Sequence, residues 1–503
     1  MFSLTTSASA ANVRVGLRFG NDAVYSFIAR NSSGFAVGYA RDSVFYKLTE
    51  VGDAASVYVE QGGGHYLISA IPFDSLATVQ NTASYMRQLG VYAHCGYING
   101  GYYVMLGLFD SAEQANNTIA GVKNITALDF VYTYMDSKTV MANFGAQCFV
   151  FRNESDAFCV AARDGGSITI DGKGAYRGAV MADRTYSKAV SIVNLVDMDD
   201  YLASVVGSEM YPSWHIEALK AQAVIARTYA LTRTGYKGYG IDVTDDTRTQ
   251  AYQGVKKETD STYRAAHETA GMVVKYNGKL AETFFCSMSG GKTADVYSAW
   301  GGGAGLDYLK SVDDIYEDVE NIKGDTWKVT YTPSEIEAKL SASGIDIGNV
   351  TGLTVAERGN DMRVRKLIIT GTKGSHTLTF DKCRSFFNLK SQYYYISGGA
   401  SQNTVSVISA NGISNVNIAG ASILSASGIT QAPDSSYVKG SNNSATLTSA
   451  SSGDIQPFVF DGRGNGHGVG LSQYGAQGMA KAGFSYVDII KFYFSGVSVE
   501  KHY

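Results

Sequence analysis

Short alternations of apolar and polar residues begin the chain and predict β-strands. Residues 13–19 place an apolar side chain at every second position, and residues 35–37 follow turn-forming residues at 31–34. A period of two puts alternate side chains on one face of a strand, so that this face can be buried. The pattern predicts a small β-rich unit over residues 13–60.

A more regular succession of strand and helix patterns follows at residues 62–135. Gly90 is placed to end the first helix, Asn99-Gly-Gly101 is typical of a hairpin, and Ser111 can cap the second helix. The predicted strands lie at 65–70, 91–94, 102–109 and 129–134, and the predicted helices lie at 76–89 and from 111 to about 122. The resulting order, β-α-β-β-α-β, is the split βαβ arrangement.

Two further helices are predicted in the middle of the chain. Asp199 or Asp200 can cap a short helix that ends at Gly207. Pro212 and Ser213 then begin a longer helix.

Arg227 lies on the buried side of that longer helix. The apolar stripe there recurs every three or four residues and comprises Ile216, Leu219, Ala223, Ala226 and Ala230. At about 100° per residue, Arg227 falls within roughly 20° of Ile216. A buried guanidinium needs a carboxylate partner, because its desolvation is otherwise costly. Glu209, in the connection before the helix, is the predicted partner.

Length and composition narrow the class of protein. The chain has 503 residues, which suggests about two to four domains, and the mixed patterns predict a multidomain α+β fold. The charged fraction is 17% and the net charge is -4, so a basic surface for nucleic acid is not expected. Glycine (56) and tyrosine (34) are abundant. This composition suits sugar polymers better than phosphate or lipid.

Several features bear on processing and compartment. No run of 18 or more apolar residues predicts a transmembrane helix. The segment 1–12 contains Ala8-Ser-Ala10, which resembles the end of a secretory signal, with a disordered polar tail as the alternative. The Ser/Asn-rich residues 400–455 are interpreted as an insertion, either a β-hairpin or a linker. The five cysteines form no CxxC pair, which argues against a full disulfide framework.

Glu209 is a candidate general acid. Its neighbours Met210, Tyr211 and Trp214 are apolar or aromatic, and an apolar environment raises the pKa of a carboxyl group towards neutrality. The two aromatic side chains are suited to stacking on sugar rings. A solvated glutamate near a helix start is the alternative interpretation. Glu217, on the longer helix, is interpreted as favourable to its N-terminal dipole.

A polar loop at 243–255 and a glycine turn carry further candidates. The turn is Ser289-Gly290-Gly291-Lys292-Thr293, which resembles the end of a phosphate-binding loop. Cys286 stands where that motif requires glycine, so the nucleotide interpretation fails. We expect instead a turn that presents Ser289, Lys292 and Thr293 to a polar ligand.

Alternating glycines surround His467. They occupy positions 462, 464, 466, 468 and 470, which permits positive φ angles and close approach of the backbone to a ligand. A dinucleotide site is not expected here, because its strand–turn–helix context is missing. His467 is therefore expected to line a site, with Ser472, Gln473 and Tyr474 beside it.

Together these segments resemble the catalytic domain of the SpoIID/LytB (stage II sporulation protein D) family. SEM, EALKAQAV and ARTYAL occur within 208–231, SGGKT occurs at 289–293, and GHGVGLSQYGAQGMA occurs at 466–480. The likeness runs from about Val160 to Tyr503, interrupted at 400–455, and predicts a catalytic domain at 145–503. The stretch 101–115 resembles part of a SPOR domain, a module that binds peptidoglycan strands stripped of stem peptides. Residues 62–135 are therefore predicted to be SPOR-like.

The resemblance implies a lytic transglycosylase, which cleaves the MurNAc-β-1,4-GlcNAc bond and leaves a 1,6-anhydro end. One carboxylate can suffice, because the muramic acid's own 6-hydroxyl attacks the anomeric carbon, whereas ordinary glycosidases usually need two. The resemblance implies Glu209 as acid and base, and Arg227 as the catalytic residue that orients or charge-tunes it. The expected substrate contacts are Ser208, Tyr211, Trp214, Gln250, Tyr252, Gln253, Ser289, Gly290, Gly291, Lys292, Thr293, His467, Ser472, Gln473 and Tyr474.

No metal and no other cofactor is expected. Some family members bind zinc near the position of Cys286, but here that cysteine has no nearby second cysteine or histidine. The expected partners are peptidoglycan strands and a cell-wall amidase. The expected location is the cell wall of a Gram-positive spore former, in sporulation (engulfment) or wall remodelling. The alternatives are a non-catalytic glycan-binding amidase enhancer and a structural coat or adhesin protein.

Overall fold

The computed structural model describes residues 11–184, 189–399 and 455–503, together with the backbone of short strands between 404 and 448. The predicted signal at residues 8–10 lies outside the described residues. Within the described residues, no helix is both long enough and apolar enough to cross a bilayer.

Strands supply most of the regular structure. They are β1 Asn12–Arg18, β2 Ser26–Arg30, β3 Phe35–Arg41, β4 Val44–Val51, β5 Ser56–Gln61, β6 Gly64–Ser69, β7 Ala93–Ile98, β8 Gly101–Phe109, β9 Phe130–Met135, β10 Val140–Phe144, β11 Gln147–Arg152, β12 Ala157–Ala162, β13 Ile168–Ile170, β14 Gly174–Tyr176, β15 Ala179–Asp183, β16 Ser191–Asp197, β17 Val243–Thr244, β18 Met272–Tyr276, β19 Lys279–Leu280, β20 Phe285–Cys286, β21 Thr326–Tyr331, β22 Val350–Arg358, β23 Val364–Gly371, β24 Gly374–Thr379, β25 Tyr394–Gly398, β26 Thr404–Ser409, β27 Gly412–Asn417, β28 Ser422–Ser425, β29 Gly428–Gln431, β30 Ser435–Lys439, β31 Ser444–Thr448, β32 Phe458–Arg463, β33 Leu471–Ser472 and β34 Ser498–Lys501.

Helices lie between these strands. They are α1 Leu76–Gln88, α2 Ala112–Thr126, α3 Met198–Glu209, α4 Ile216–Thr232, α5 Asp260–Glu268, α6 Val296–Trp300, α7 Pro333–Ala342, α8 Lys382–Ser385, α9 Gln473–Lys481 and α10 Tyr486–Tyr493. Short 3-10 turns are found at Gly20–Asp22, Lys237–Tyr239 and Gly254–Lys257. The fold is thus mixed α+β, as the sequence predicts.

The chain divides into two compact units. The first unit comprises Met1–Thr283 with Ser498–Tyr503, and the second comprises Phe284–Val497. In the first unit, a seven-stranded sheet has the order β17-β1-β16-β15-β12-β3-β4, and a ten-stranded sheet has the order β14-β13-β2-β5-β10-β11-β7-β8-β6-β9. Side chains from both sheets and from α1, α3 and α4 share one apolar core.

Strand pairing crosses the boundaries predicted for residues 13–60 and 145–503. Antiparallel pairing joins β1 to β16 and β3 to β12, and β1 also pairs with β17 in parallel. The first strands of the chain therefore belong to the same sheet as strands from the predicted catalytic domain. Local periodicity predicted the strands, but it carries no information on partners more than a hundred residues away.

Within the ten-stranded sheet, β6, α1, β7, β8, α2 and β9 follow one another as β-α-β-β-α-β, with the strand order β7-β8-β6-β9. The hairpin turn between β7 and β8 has positive φ at Asn99 (46°) and Gly100 (93°). Such values suit an Asn-Gly pair. Ser75 and Ser111 cap the two helices by accepting backbone N–H groups. That this segment is a SPOR module stays a prediction.

The second unit contains two three-stranded sheets, β21-β32-β25 and β22-β23-β24, and the short pair β20-β33. Its main core joins these two sheets and α7, with Trp327, Phe387 and Phe460 among its buried rings. Between 404 and 448, the described strands pair as the hairpins β26-β27, β28-β29 and β30-β31. The insertion predicted at 400–455 lies largely outside the described residues and stays a prediction.

Candidate functional site

Helix α3 ends at Glu209. The carboxylate of Asp197, rather than Asp199 or Asp200, caps its start by accepting the N–H of Asp199 at 2.8 Å. The helix does not end at Gly207, as predicted, but continues for two more residues. Gly207 is instead a point of close packing, because a Cβ atom there would stand 2.0 Å from the carbonyl oxygen of Lys257.

The carboxylate of Glu209 is partly buried and is held by a loop of the same unit. Its Oε1 accepts the backbone N–H of Ala251 at 2.9 Å. The preceding residue, Gln250, is fully buried, and its Oε1 accepts the hydroxyl of Tyr201 at 3.0 Å. Burial, together with the charge of Glu209, raises the pKa of Tyr201 well above its usual value. Tyr201 therefore stays protonated and remains a donor.

Two buried polar atoms near Glu209 have no hydrogen-bond partner among the described residues. They are Nε2 of Gln250 and Oγ of Ser208. Buried polar atoms in native proteins are almost always paired with protein or ordered water. Both groups can donate, so they suit a water molecule or the oxygen atoms of a ligand.

An aromatic pair follows Glu209 on the surface. Tyr211 is 60% exposed, and its ring lies 5.4 Å from the ring of the partly buried Trp214. Pro212 and Ser213 lie in the turn between them and do not begin the longer helix, as was predicted. That helix, α4, begins at Ile216 after His215, whose Nδ1 accepts the N–H of Glu217.

Arg227 is fully buried, as predicted, but its carboxylate partner is Asp199 and not Glu209. Nη2 donates to Asp199 Oδ1 at 2.9 Å and to the carbonyl of Ala266 at 3.0 Å, and Nη1 donates to the carbonyl of Met272 at 3.2 Å. Asp199 and Glu209 are ten residues apart on α3, or about 15 Å along its axis. Arg227 therefore anchors the beginning of the helix, and Glu209 stands at its end.

The polar loop 243–255 divides into buried and exposed parts. Tyr252 is buried, and its hydroxyl donates to Asn194 Oδ1 at 2.7 Å. It therefore belongs to the core and is not a glycan contact, contrary to the prediction. Gln253 is exposed, and its backbone N–H donates to Ser204 Oγ at 3.2 Å.

In the second unit, the SGGKT turn encloses a carboxylate of the protein itself. Glu317 is buried and accepts the backbone N–H groups of Ser289 (2.8 Å), Gly290 (2.6 Å) and Gly291 (3.2 Å). The hydroxyl of Ser472 donates to the same carboxylate. Gly290 and Gly291 have φ of 77° and 86°, so both amides can point at one anion. The backbone N–H groups of the turn are therefore taken up by Glu317, and the contact of Ser289, Lys292 and Thr293 with a polar ligand stays a prediction.

Two further buried carboxyl groups lie near Glu317. Burial and the charge of Glu317 raise the pKa of Asp314 to about 7 and that of Asp325 to about 8. Asp314 Oδ2 accepts the hydroxyls of Tyr493 (2.9 Å) and Ser289 (3.2 Å), and Asp325 Oδ1 accepts the N–H of Gly464 at 2.7 Å. Sequence reasoning missed all three acids, although the Gly-Gly pair signalled an anion.

Most of the other predicted contact residues of the second unit are buried or bonded to other residues of the protein. Thr293, Ser472 and Gln473 are buried, and Tyr474 is partly buried and donates its backbone N–H to the carbonyl of Ser287. Lys292 pairs with Asp313 at 2.7 Å.

His467 is partly buried, with the Trp300 ring 5.1 Å away. Its Nδ1 accepts the N–H of Val469 at 3.0 Å. Burial and the charges of Arg384 and Arg363 lower the pKa of His467 to about 3, so the imidazole is neutral.

The structure therefore gathers Glu209, Ser208, Gln250 and the Tyr211–Trp214 pair in the first unit. The predicted residues from 289 to 474 belong to the second unit, and one cleft lined by both groups stays a prediction. Among the described residues, no three His, Cys, Asp or Glu side chains are arranged to hold a metal ion. The five cysteines are buried and form no disulfide.

Comparison with known proteins bears on the region around α3 and α4. Residues 186–276 match the SpoIID family model, described as stage II sporulation protein. Over 324 residues the chain is 29% identical to the amidase enhancer of Bacillus subtilis (strain 168), and the match covers 60% of this chain and 40% of that relative. The chain thus spans less than half of the length of the amidase enhancer.

Two shorter relatives are matched over most of their length. The chain is 26% identical over 337 residues to stage II sporulation protein D of Bacillus subtilis (strain 168), covering 63% of this chain and 78% of that protein. It is 27% identical over 330 residues to the protein of the same name in Bacillus amyloliquefaciens, covering 61% and 76%. The family match includes α3, α4 and Glu209.

Proposed function

We propose, from the match of residues 186–276 to the SpoIID family model, that this chain is a lytic transglycosylase of the bacterial cell wall. Its substrate is the glycan strand of peptidoglycan, stripped of stem peptides, and its product carries a 1,6-anhydro end. Its role lies in sporulation or in wall remodelling outside the cytoplasm. The predicted SPOR-like segment 62–135 fits this proposal as a second contact to the strand.

The placement of Glu209 carries the proposal. A single carboxylate stands at the end of a buried helix, with an exposed tyrosine and a partly exposed tryptophan directly after it. Aromatic faces and uncharged donors suit a sugar chain, and the carboxyl group supplies the proton that glycosidic cleavage requires.

Each oxygen of Glu209 has a separate task in this mechanism. Oε1 accepts the N–H of Ala251, and we assign the catalytic proton to Oε2. Oε2 protonates the leaving glycosidic oxygen, the bond to the anomeric carbon breaks, and Glu209 becomes a carboxylate. That carboxylate then takes the proton of the muramic acid 6-hydroxyl as its oxygen closes on the anomeric carbon. Glu209 regains its proton, and no water is consumed.

Other residues of the site orient the strand or the helix. The buried Nε2 of Gln250 and Oγ of Ser208 can donate to an ordered water beside the strand, and Tyr201 fixes the Gln250 amide. Arg227 is a positioning residue, because it holds α3 through Asp199 and does not contact Glu209. The electrostatic tuning of Glu209 by Arg227 that the sequence suggested is not part of the mechanism.

The experiment compares Glu209→Gln with wild type on stem-peptide-free glycan strands. We expect a loss of cleavage of about 10²- to 10⁴-fold with strand binding retained, because the amide cannot donate a proton as an acid. Glu217→Gln is the matched control, since Glu217 pairs with Lys220 one turn along α4, and this substitution should leave the rate unchanged.

Two outcomes would contradict the proposal. Equal cleavage by Glu209→Gln and wild type would remove Glu209 from the reaction. Binding of strands by wild type with no cleavage would instead favour the non-catalytic, amidase-enhancing alternative.

A further inference from the structure

A polar cavity of about 210 Å³ lies in the first unit, beside the loop that holds Glu209. None of the residues that line it was among the predicted site residues. They include Tyr229, Arg233, Tyr236, Arg248, Thr249 and Glu282. A typical small-molecule pocket holds about 300–1,000 Å³, so this cavity admits one sugar residue and not a length of strand.

The cavity and the Glu209 carboxylate are connected through three consecutive residues. Thr249 lines the cavity, Gln250 follows it, and Ala251 donates its N–H to Glu209 Oε1. The Cα atoms of Thr249 and Ala251 are at most about 7 Å apart, because each residue of an extended chain spans about 3.3–3.6 Å. The lining of the cavity therefore begins within about 7 Å, along the backbone, of the amide that holds Glu209.

Both arginines that line the cavity are already paired with carboxylates, which bears on the class of ligand. Arg233 forms an ion pair with Glu282, and Arg248 pairs with Asp246 at 2.9 Å. Glu282 lines the cavity and Asp246 does not, but each neutralises one arginine, so a phosphate or another strong anion is not favoured. The two ion pairs offer fixed donors and acceptors to a neutral, polar molecule.

Aromatic rings complete the cavity and hold its arginines. The guanidinium of Arg233 lies 4.1 Å from the centre of the Tyr229 ring, and that of Arg248 lies 5.0 Å from the Phe19 ring. Stacked guanidinium groups keep little conformational freedom, so less is lost when a ligand binds. Guanidinium groups beside tyrosine rings can donate hydrogen bonds to the hydroxyl and N-acetyl groups of a sugar.

We infer that this cavity is a subsite for a neutral N-acetylated sugar residue of the strand, separate from the sugar at Glu209. The inference rests on the proposed function, because the strand must lie at Glu209. The subsite accepts a sugar residue next to the cleavage position and thereby favours longer strands.

Gly235 gives a direct test, because it lines the cavity and a Cβ built there meets nothing within 4 Å. Gly235→Phe fills the cavity without removing a contact. Gly238→Phe is the matched control, since Gly238 also has open space within 4 Å and does not line the cavity. Arg248→Ala is a second variant, with Arg163→Ala as its control, an arginine paired with Glu50.

Binding is measured by calorimetry in the full-length Glu209→Gln protein, with stem-peptide-free glycan oligosaccharides of increasing length. We expect Gly235→Phe and Arg248→Ala to weaken the binding of the long oligosaccharides about tenfold or more and to leave the shortest unchanged. Both controls should keep the full dependence on length.

Unchanged affinities at every length in Gly235→Phe and Arg248→Ala would overturn the inference. Equal weakening at every length would also overturn it, because the cavity would then not be a separate subsite. Neither result depends on whether wild type makes anhydro ends, so failure of this inference is distinguishable from failure of the proposed function.

Discussion

Glu209 and Glu317 illustrate two opposite uses of a carboxylate in one chain. Glu209 is partly buried, accepts the loop N–H of Ala251, and precedes the exposed Tyr211 and the partly buried Trp214 in the chain. Glu317 is buried and accepts three backbone N–H groups and a serine hydroxyl. Both are surrounded by motifs that suggest a site. The comparison shows that a glycine-rich motif can be explained by a carboxylate of the protein, so that it needs no ligand.

The largest effect is expected for Glu317→Ala, which would destabilise the second unit by about 3–5 kcal/mol. The substitution leaves three amides and a hydroxyl without their buried acceptor. Hydrogen exchange of peptides from β21 and β23 would measure it. Glu320→Ala is the control, because that side chain is 75% exposed, and it should change little. A Glu317→Ala protein as stable as wild type would show that the cluster is not structural.

Arg227→Met should destabilise the first unit by about 3–5 kcal/mol, because it removes the buried ion pair with Asp199 and the bonds to the carbonyls of Ala266 and Met272. The fraction that stays folded should keep the wild-type pH profile of cleavage, since the guanidinium does not contact Glu209. Thermal unfolding and rates at several pH values would check both points. Arg264→Met, which removes an exposed pair with Glu268, is the control. A pH profile of cleavage that shifts in Arg227→Met would contradict this prediction, because Arg227 would then tune the pKa of Glu209 directly.

Stability of the second unit should fall as the pH rises. The pKa values of Asp314 and Asp325, about 7 and about 8, lie above the ordinary 3.8, so the folded state binds more protons than the unfolded state between these values. The stabilisation is complete below about pH 4 and is lost as the pH passes 7 and 8, by the order of 2 kcal/mol for each group between pH 5.5 and 8.5.

The free energy of unfolding, measured at about pH 5.5 and about pH 8.5, would give this loss of stability. In Asp314→Asn/Asp325→Asn the dependence should flatten. Asp313→Asn, at a position 74% exposed, should keep it. A stability that rises towards pH 8.5 would contradict the sign of both shifts.

The smallest effect is expected for the aromatic pair. Tyr211→Ala or Trp214→Ala should weaken strand binding by about 1–2 kcal/mol, because each removes a ring that stacks on sugar. Affinity for strands in the Glu209→Gln protein would measure it. Tyr25→Ala removes a tyrosine that is 66% exposed elsewhere in the unit and should bind as before. Unchanged affinity in both variants would separate the pair from the substrate.

Much of the local structure could be predicted from the sequence. The helical stripe of α4 predicted the burial of Arg227, and the Asn-Gly turn predicted the β7–β8 hairpin. The partner of Arg227 could not be predicted, because it depends on which end of α3 faces α4. Gly207 suggested a helix end, yet its small size serves packing against Lys257.

The interior of the second unit was the least predictable part. Asp314 and Glu317 lie in an acidic stretch that looks solvated in sequence. Only the meeting of the 289–291 turn with Ser472 supplies the donors that make burial of Glu317 possible. Tyr252 failed as a predicted contact for a related reason, since its partner Asn194 is distant in sequence.

The most direct test of the account is the fate of solvent oxygen during cleavage. Wild type would digest stem-peptide-free strands in water enriched in ¹⁸O, and mass spectrometry would give the masses of the newly formed ends. The account predicts ends lighter by one water than those of a hydrolase, with no ¹⁸O, because the 6-hydroxyl closes the ring. Reducing ends that carry ¹⁸O would contradict it, since Glu209 would then act with water.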